Sequence, residues 1–256
     1  MTGAEVVATL EGWLLPAWSA PPGVRAAVST RQGPGVSQPP YERFNLGSRC
    51  GDTPEVVAAN RETVRSALQL PRAPHWLRQV HGVDVAECDP SSLSDPEPNA
   101  DASVTRSIGE PLAILTADCM PVLFCAIDGS EVAAAHAGWR GLAAGVLEAT
   151  VAHMQAEPAD VMAWLGPCIG AASYEVGEEV RSTFVNGDSG AASCFAPTRP
   201  GHWLCDLAGL ARRRLAQAGV LQVYGGGFDT LTDPRFYSYR RDGAQSGRFA
   251  TLIWLE

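Results

Sequence analysis

The segment Leu112–Ala137, LAILTADCMPVLFCAIDGSEVAAAHA, decides the fold of this chain. It contains three short apolar runs, Leu112–Leu115, Pro121–Ala126 and Val132–Ala135, and the stretches between them are too short to form helices. Short apolar runs bounded by Asp, Gly and Pro are typical of buried strands. Three strands without an intervening helix do not fit a regular alternation of strands and helices, so the segment predicts a mixed fold.

Further strands and three helices are predicted on either side of this segment. Short apolar, β-branched runs predict strands near Ala26–Ser29, Val83–Glu87, Val161–Leu165, Gln222–Tyr224 and Ala250–Trp254. Apolar residues that recur at helical spacing predict helices over Thr53–Leu70, Leu142–Gln155 and Asp206–Ala218. This irregular order of elements favours a mixed-sheet α/β fold or an α+β fold.

Composition limits the class of protein. The chain has 256 residues, which is enough for one large domain or two small ones with a substantial core. Its net charge of −9 disfavours nonspecific binding to nucleic acid or to an anionic membrane surface. No apolar run approaches the roughly 18 residues of a transmembrane helix, and the N-terminus lacks the pattern of a signal peptide. Seven cysteines without a Cys-x-x-Cys pair predict free thiols and a cytoplasmic protein.

Two histidines and one cysteine are the candidate chemical groups. His81 lies in the string QVHG, Cys119 in TADCMPVLF and His136 in AAAHAGWRG. Imidazole and thiolate are zinc ligands, and three protein ligands leave one coordination position for water or substrate, as in catalytic zinc sites. The intervals between the three residues are too wide for a zinc finger, so the fold must bring them together.

These strings, with others in the same order, resemble the YfiH family, also called the multicopper polyphenol oxidoreductase or laccase-domain family and the peptidoglycan editing factor family. The resemblance covers nearly the whole chain and includes AAVSTRQGPGVSQPPYERFNLGSRCGD, WLGPCIGAASYEVGEEV and FYSYRRDGAQSGRFATLIWL. In the first loop the family usually has Gly-Gly, where this chain has Gly33-Pro34-Gly35. Before the last block the family usually has Cys-Thr, where this chain has Asp229-Thr230. The second departure indicates that a thiol at that position is not essential to the shared chemistry.

The resemblance implies a fold, an activity and a cofactor. The fold is a single YfiH-like α+β domain over residues 1–256, a mixed-sheet sandwich flanked by helices. The activity is zinc-dependent phosphorolysis of adenosine, inosine and methylthioadenosine to the free base and the ribose 1-phosphate, with an adenosine deaminase activity beside it. His81, Cys119 and His136 are then both the metal ligands and the catalytic centre, with copper as an alternative metal. The partners are a small-molecule nucleoside and phosphate, and the chain is a monomer or a weak homo-oligomer.

Substrate contacts are predicted in two places. Arg31 and Asn45, in the first block of the resemblance, are the candidate substrate-binding residues, because a guanidinium group binds phosphate oxygens in a fixed, bidentate geometry. The segment after His136 runs from a strand through a glycine turn into a helix, and the free N–H groups of such a helix start attract an anion. Arg140 either adds charge to that site or forms a structural salt bridge.

The proton-shuttling acid and the reaction class stay open at the level of sequence. Hydrolytic deamination at a zinc site needs a carboxylate that is not a ligand, and Asp101, Asp118 and Glu175 are the candidates. A copper-dependent polyphenol oxidase is the first alternative function, although five histidines are few for a site with several coppers. A cysteine amidase that edits muropeptide precursors, with Cys119 as nucleophile and His136 as base, is the second. A non-enzymatic structural zinc site, completed by a fourth ligand such as Cys125 or Cys168, is the third.

Overall fold

The structure is a computed structural model that describes the backbone of residues 6–10 and all of residues 12–90 and 97–256. Its strands, numbered in chain order, are β1 (Val6–Leu10), β2 (Trp13–Pro16), β3 (Val24–Ser29), β4 (Val85–Glu87), β5 (Ala102–Thr105), β6 (Leu112–Thr116), β7 (Met120–Ala126), β8 (Val132–Ala137), β9 (Val161–Leu165), β10 (Glu175–Gly177), β11 (Phe195–Pro197), β12 (His202–Cys205), β13 (Gln222–Gly225) and β14 (Phe249–Leu255). Its α-helices are α1 (Pro54–Ala67), α2 (Trp139–Ala144), α3 (Val146–His153), α4 (Glu178–Val185), α5 (Leu207–Gln217) and α6 (Tyr239–Asp242).

The strands form two large sheets and one small sheet. The five-stranded sheet has the order β1-β2-β3-β14-β6, and all of its neighbours are antiparallel. The six-stranded sheet has the order β13-β9-β7-β8-β5-β4, with parallel pairing only at its two edges. The small sheet is β10-β12-β11. All eight strands predicted from the sequence are present, and the sheets are of mixed connectivity as expected.

The two large sheets pack face to face, and helices cover their outer faces. Ile114 and Ile253 of the five-stranded sheet share an apolar cluster with Leu123 and Trp164 of the six-stranded sheet. Helix α1 adds to a second cluster on the outer face of the five-stranded sheet, and α2, α3 and α5 add to a third on the outer face of the six-stranded sheet. The predicted α+β sandwich flanked by helices is therefore confirmed. Its extent as a single domain over residues 1–256 stays a prediction.

Continuous burial explains why the segment Leu112–Ala137 could be recognised as strands. Every residue of β7 and β8 is buried, because the strands have the second sheet on one face and helices on the other. Strands covered on both faces have continuous apolar runs rather than alternating ones. The strands that the sequence did not predict are short or poor in large apolar residues, such as β5, whose sequence is ASVT.

One predicted helix is wrong in its bounds. Instead of Leu142–Gln155 there are two helices, α2 and α3, which meet at Gly145. Gly145 has a φ of 103°, and its N–H donates to the carbonyl of Gly141, so it caps α2 in a left-handed conformation that glycine adopts without strain. The third predicted helix starts where expected, and Asp206 caps its N-terminus, because the Asp206 carboxylate accepts the N–H of Gly209 at 2.8 Å.

The chain crosses from one large sheet to the other next to the candidate ligands. It leaves the five-stranded sheet at Thr116 and enters the six-stranded sheet at Met120. Cys119 therefore lies in the crossing between the sheets. Among the described residues no helix has both the length and the apolar character needed to cross a bilayer. Residues 1–5, on which the signal-peptide prediction partly rests, lie outside the described residues.

Candidate metal centre

The pairing of β7 with β8 brings Cys119 and His136 together. Met120 lies opposite Ala137 in this antiparallel pair. Cys119 comes directly before Met120, and His136 directly before Ala137, so both side chains lie at the same end of the strand pair. Cys119 is partly exposed, whereas His136 is only 3% exposed. At the end of this buried strand pair, the thiol of Cys119 thus lies at the surface of the cluster and the imidazole of His136 at its base.

Asp101 holds the segments of the two histidines, His81 and His136, in place. This carboxylate is fully buried and accepts the backbone N–H groups of Val80 at 3.0 Å, His81 at 2.9 Å and Gly82 at 2.7 Å. It also lies 2.8 Å from Nδ1 of His136. A carboxylate on the far ring nitrogen fixes the orientation of the imidazole and leaves Nε2 free for a ligand. Asp101 therefore fixes the backbone of one histidine and the ring of the other.

The three predicted ligands form one compact cluster. The candidate ligand atoms of His81, Cys119 and His136 all lie within 4.8 Å of one another. Cys119 Sγ is 3.9 Å from His81 Nε2, and the two imidazole rings are 4.8 Å apart in an edge-to-face arrangement. Two zinc–ligand bonds of about 2.0–2.3 Å nearly span such a separation, so a small closure is enough. Within the described residues the cluster has no fourth member, which does not support a closed structural zinc site.

Gly138 leaves the space in which the cluster closes. A Cβ at this position would lie 2.9 Å from Cys119 Sγ and 3.0 Å from His81 Cδ2. Both separations are too short for ordinary carbon contacts. The glycine of the HAGWRG string is therefore required by the close approach of two ligands.

Two residues of the cluster region have strained backbones. His81 has a φ of 62° and Asp118 a φ of 86°, and both are left-handed conformations that cost a non-glycine residue about 1–2 kcal/mol. Strain of this kind persists only where the surroundings fix the conformation, and it collects at functional sites. The N–H groups bound to Asp101 provide that fixation at His81.

The electrostatics of the cluster favour a thiolate beside an imidazolium. Burial raises the pKa of the Cys119 thiol, but the charge of His136 and hydrogen bonds from both histidines outweigh burial and lower that pKa to about 6. Burial lowers the pKa of His136, but the charge of Cys119 and the hydrogen bond to Asp101 raise it to about 9. Cysteine binds metals as the thiolate, so the lowered pKa of Cys119 prepares it as a ligand.

The cluster opens into a cleft of about 560 Å³. This volume lies within the range of about 300–1,000 Å³ that is typical of small-molecule sites. We call His81, Cys119, His136 and the underlying Asp101 the floor of the cleft. We call five of the charged or aromatic side chains that line the cleft above this floor the rim: Trp139, Arg140, Tyr174, Arg240 and Arg248. Arg49 and Arg61 also line the cleft, but both pair with Glu97.

The arginines of the rim have no carboxylate partner in the part of the chain that the structure describes. Arg140 stacks on the ring of Trp139, with Cζ 4.5 Å from the ring centroid. Arg240 donates to the carbonyl oxygen of Glu175 at 3.2 Å, and Arg248 donates to that of Ser246 at 2.6 Å. Three guanidinium groups without carboxylates, at one cleft of a chain with a net charge of −9, attract an anion locally.

The two predicted substrate-binding residues lie outside the cleft lining. Arg31 pairs with Glu42 at 2.6 Å and lies near Asp242, so its charge is already compensated. Asn45 is fully buried, and its amide oxygen accepts the N–H of Arg248 at 2.8 Å. Asn45 thus supports the rim from behind. Direct contact of Arg31 and Asn45 with substrate stays a prediction, and the geometry points to the rim arginines instead.

The three candidate acids have different places in the structure. Asp101 lies beneath the histidines with its oxygens occupied, and Glu175 pairs with Arg199 at the surface. Asp118 lines the cleft, because its left-handed φ turns the chain beside Cys119. Its two oxygens accept the hydroxyl of Thr230 and the N–H of Arg240, each at 2.6 Å. Asp101 and Asp118 are therefore engaged in holding the site together, whereas the Glu175 carboxylate is engaged outside the cleft lining.

The predicted anion site at the helix start is weaker than expected. Helix α2 begins at Trp139, directly after the ligand segment, but it contains only six residues. The charge at a helix terminus comes from aligned peptide dipoles, which are few in so short a helix. The cationic character of the cleft therefore depends on the arginine side chains.

Two groups of the site escaped sequence-based reasoning. Tyr174 and the anchoring role of Asp101 were not predicted, although Tyr174 lies in a matching block of the resemblance. The expectation for the other cysteines is confirmed, because all seven are free and all except Cys119 are buried. Burial raises the pKa of Cys88 and of Cys125 to about 12, with nearby carboxylates adding to the effect at Cys88.

Known proteins are similar to this chain over most of its length. Residues 25–256 match the family model described as Multi-copper polyphenol oxidoreductase laccase. A Xylella fastidiosa protein named purine nucleoside phosphorylase is 53% identical over 253 residues, covering 95% of this chain and 97% of that protein. The Escherichia coli purine nucleoside phosphorylase YfiH is 49% identical over 243 residues, covering 94% and 98%. A crystal structure of a Neisseria meningitidis protein, 46% identical, has a TM-score of 0.91 and covers 96% of this chain.

Proposed function

This chain belongs to the multi-copper polyphenol oxidoreductase laccase family, which includes YfiH, and from that premise we propose that it is a zinc-dependent purine nucleoside phosphorylase. Its substrates would be adenosine, inosine or methylthioadenosine together with inorganic phosphate. The observation that carries the proposal is a single cleft with three metal-ligating side chains on its floor and three arginines without carboxylate partners on its rim. The relatives named purine nucleoside phosphorylase support the same activity.

The donor set of the floor fits zinc. Two imidazoles and a thiolate are ligands that zinc prefers, and the three-ligand arrangement matches catalytic rather than structural zinc sites. Copper also binds such donors tightly, so the metal taken up in a copper-rich preparation would depend on supply. A bound zinc ion supplies Lewis acidity and activates water.

The rim would hold the phosphate. Guanidinium groups bind phosphate oxygens through paired, charge-assisted hydrogen bonds. Arg140 and Arg240 line the cleft together with the ligands, so a phosphate bound by them lies beside the floor. Holding two reactants in a productive orientation contributes a large part of the rate enhancement in such reactions.

Aromatic residues of the rim would hold the purine. Trp139 and Tyr174 are both partly exposed in the cleft, and Tyr174 lies beside Arg240. Burial and the nearby charge of Cys119 raise the pKa of Tyr174, so its phenol stays protonated and can donate a hydrogen bond. In phosphorolysis a phosphate oxygen bonds to the anomeric carbon while the carbon–nitrogen bond breaks. The departing purine nitrogen takes the electron pair, and a proton donor at this place would stabilise it.

We include hydrolytic deamination of adenosine as a second reaction of the same centre. It requires activated water and a proton-shuttling acid near the purine ring. Asp118 is the carboxylate that lines the cleft next to a ligand. Because both its oxygens already accept hydrogen bonds, we expect deamination to be the slower reaction.

An amidase is the second candidate function, and one observation favours it. Cys119, His136 and Asp101 form a line of thiol, imidazole and carboxylate, the arrangement that activates a cysteine nucleophile. Hydrolysis of an amide by metal-free protein would favour this function over phosphorolysis. The polyphenol oxidase has less support, because the described residues provide one group of three ligands and not several.

The same proposal predicts the partners of the protein, its cellular compartment and its oligomeric state. A nucleoside and phosphate are small molecules, and the acidic chain gives no basis for a nucleic-acid partner. Seven free cysteines support a reducing, cytoplasmic compartment. We expect a monomer or a weak homo-oligomer.

The test is an assay for base release. Zinc-loaded protein is incubated with adenosine, with and without phosphate, and the products are separated by HPLC. We expect adenine and ribose 1-phosphate only with phosphate, and slow formation of inosine without it. Oxidation of phenols without any turnover of nucleoside would replace this proposal with the oxidase.

A further inference from the structure

Asp229 joins two loops behind the rim. Its carboxylate accepts the N–H of Gly170 at 3.0 Å, the hydroxyl of Ser173 and the N–H of Leu231 at 3.1 Å. Burial raises the pKa of Asp229, but these hydrogen bonds outweigh burial and lower that pKa, so the group is charged. A charged acceptor forms stronger hydrogen bonds than a neutral one.

The two loops are in direct contact at this point. A Cβ on Gly170 would lie 2.7 Å from Asp229 Cβ, so the loops approach as closely as glycine allows. The next residue, Thr230, donates its N–H to the carbonyl of Cys168 at 3.0 Å. A loss of the Asp229 hydrogen bonds would therefore loosen residues 170–174, which we call the Tyr174 segment, while the carbonyl of Tyr174 would still accept the N–H of Cys205 at 2.9 Å.

Asp118 connects the same loops to the metal-ligand segment. It accepts the hydroxyl of Thr230 and the N–H of Arg240, and its own carbonyl accepts the N–H of Ile169 at 2.9 Å. The start of α6, which carries Arg240, is thereby bonded to the residue next to Cys119. Arg240 has its backbone fixed by Asp118, whereas its side chain depends on other contacts.

The side chain of Arg240 is held by the loop that Asp229 secures. Tyr174 donates its N–H to the carbonyl of Gly170 at 3.0 Å, which ties it to the contact with Asp229. The guanidinium of Arg240 lies 5.4 Å from the Tyr174 ring centroid and donates to the carbonyl of Glu175 at 3.2 and 3.3 Å. The position of this guanidinium in the cleft thus depends on where the Tyr174 segment lies.

We propose that Asp229 is a positioning residue that sets the phosphate affinity of the cleft through the Tyr174 segment and Arg240, an inference that rests on the proposed phosphorolysis. Asp229 does not line the cleft and acts only through these contacts. The carboxylate holds three donors at once, whereas a thiol, for example, is only a weak acceptor. In this chain the position of Arg240 therefore depends on the charge of the Asp229 carboxylate.

The experiment compares variants of Asp229 with a matched control. Asp229→Ala removes all three hydrogen bonds, and Asp229→Asn keeps an amide oxygen that accepts one or two of them. Asp233→Asn is the control, because it removes a carboxylate that pairs with Arg235 within the same loop. Inorganic phosphate is titrated calorimetrically into each zinc-loaded protein, and kcat and the KM for phosphate are measured with adenosine.

We expect Asp229→Ala to raise the dissociation constant and the KM for phosphate about tenfold, because a guanidinium contact is misplaced. The Asn variant should lie between Ala and the wild type, and Asp233→Asn should match the wild type. Zinc content and kcat should change less than twofold. Asp229→Cys, which replaces the carboxylate with a weak acceptor, should resemble the Ala variant in phosphate affinity.

Two outcomes would overturn the inference. If the Asn and Cys variants bind phosphate as tightly as the wild type, Asp229 does not position Arg240. These two variants also decide the question if the Ala variant does not fold. A fall in zinc content and kcat at unchanged KM would assign Asp229 a structural role only. Failure of the proposed function is distinguishable, because the wild-type protein would then neither bind phosphate nor split adenosine.

Discussion

The floor and the rim of the cleft are built in opposite ways. The floor lies at the end of buried strands, and its carboxylate, Asp101, is fully buried with four donors around it. The rim lies on short helices and loops, and Arg140 and Arg240 are exposed. A group fixed by buried, charged hydrogen bonds cannot move without a large loss of free energy, whereas an exposed guanidinium can. The difference indicates that folding fixes the arrangement of the candidate ligand atoms, whereas the proposed phosphate site on the rim is adjustable.

The largest effect should come from the buried carboxylate of the floor. Asp101→Asn removes the charge that orients His136, and we expect metal affinity to fall about 10–100-fold. Asp101→Ala also leaves three backbone N–H groups without an acceptor, at about 1–3 kcal/mol for each. Metal titration and thermal unfolding measure the two effects. Asp84→Asn, an exposed carboxylate nearby, is the control, and an equal loss in both variants would contradict a special role for Asp101.

A smaller effect is expected when the floor is crowded. Gly138→Ala places a Cβ against Cys119 and His81, and overpacking of this kind costs about 1–3 kcal/mol. We expect metal affinity to fall about tenfold or more while the fold is retained. Gly187→Ala is the matched control, because its nearest neighbour would be at 3.9 Å. Unchanged metal affinity in Gly138→Ala would mean that the ligands do not close around the ion as inferred.

Substitutions on the rim should change substrate binding and leave the metal in place. Arg240→Met removes the charge and keeps the length of the side chain, so we expect the KM for phosphate to rise about tenfold. Zinc content should equal that of the wild type. Arg65→Met removes an exposed, paired guanidinium on α1 and serves as the control. Loss of zinc in Arg240→Met would erase the distinction between floor and rim.

The smallest effects on activity should come from substitution of the cysteines outside the cleft, whose thiols should also differ in reactivity from Cys119. After removal of the metal, Cys119 should react with iodoacetamide at pH 7, because its pKa is lowered to about 6 and the thiolate predominates. Cys88 and Cys125, with pKa values near 12, should not react in the folded protein. Ser variants of Cys88, Cys194 and Cys205 should keep full activity. Labelling followed by mass spectrometry is the measurement, and preferential labelling of a buried thiol would contradict these assignments.

The difference between floor and rim also separates what the sequence predicts from what it does not. His81, Cys119 and His136 could be predicted because each stands in a distinctive string, and ligand type alone limits the chemistry. Buried strands such as β7 could be predicted because burial on both faces leaves a continuous apolar run.

Apart from Arg140, the rim could not be predicted, because its positions depend on long-range contacts. Arg240 is held at the cleft by the hydrogen bond from its backbone N–H to Asp118, 122 residues away in the chain. Arg31 is also an arginine in a matching block, yet Glu42 compensates its charge. The sequence contains no local signal that separates a paired arginine from an unpaired one. The break of the predicted helix at Gly145 has a similar cause, because a glycine inside an apolar pattern can be either helical or a cap.

We propose that one metal centre and the neighbouring arginines together split purine nucleosides with phosphate. The most direct test measures zinc content and adenine release from adenosine, with and without phosphate, in the wild type and in Cys119→Ala. We predict about one zinc per chain and phosphate-dependent release of adenine in the wild type, and loss of both in the folded variant. Full phosphorolysis by Cys119→Ala protein without zinc would contradict the account.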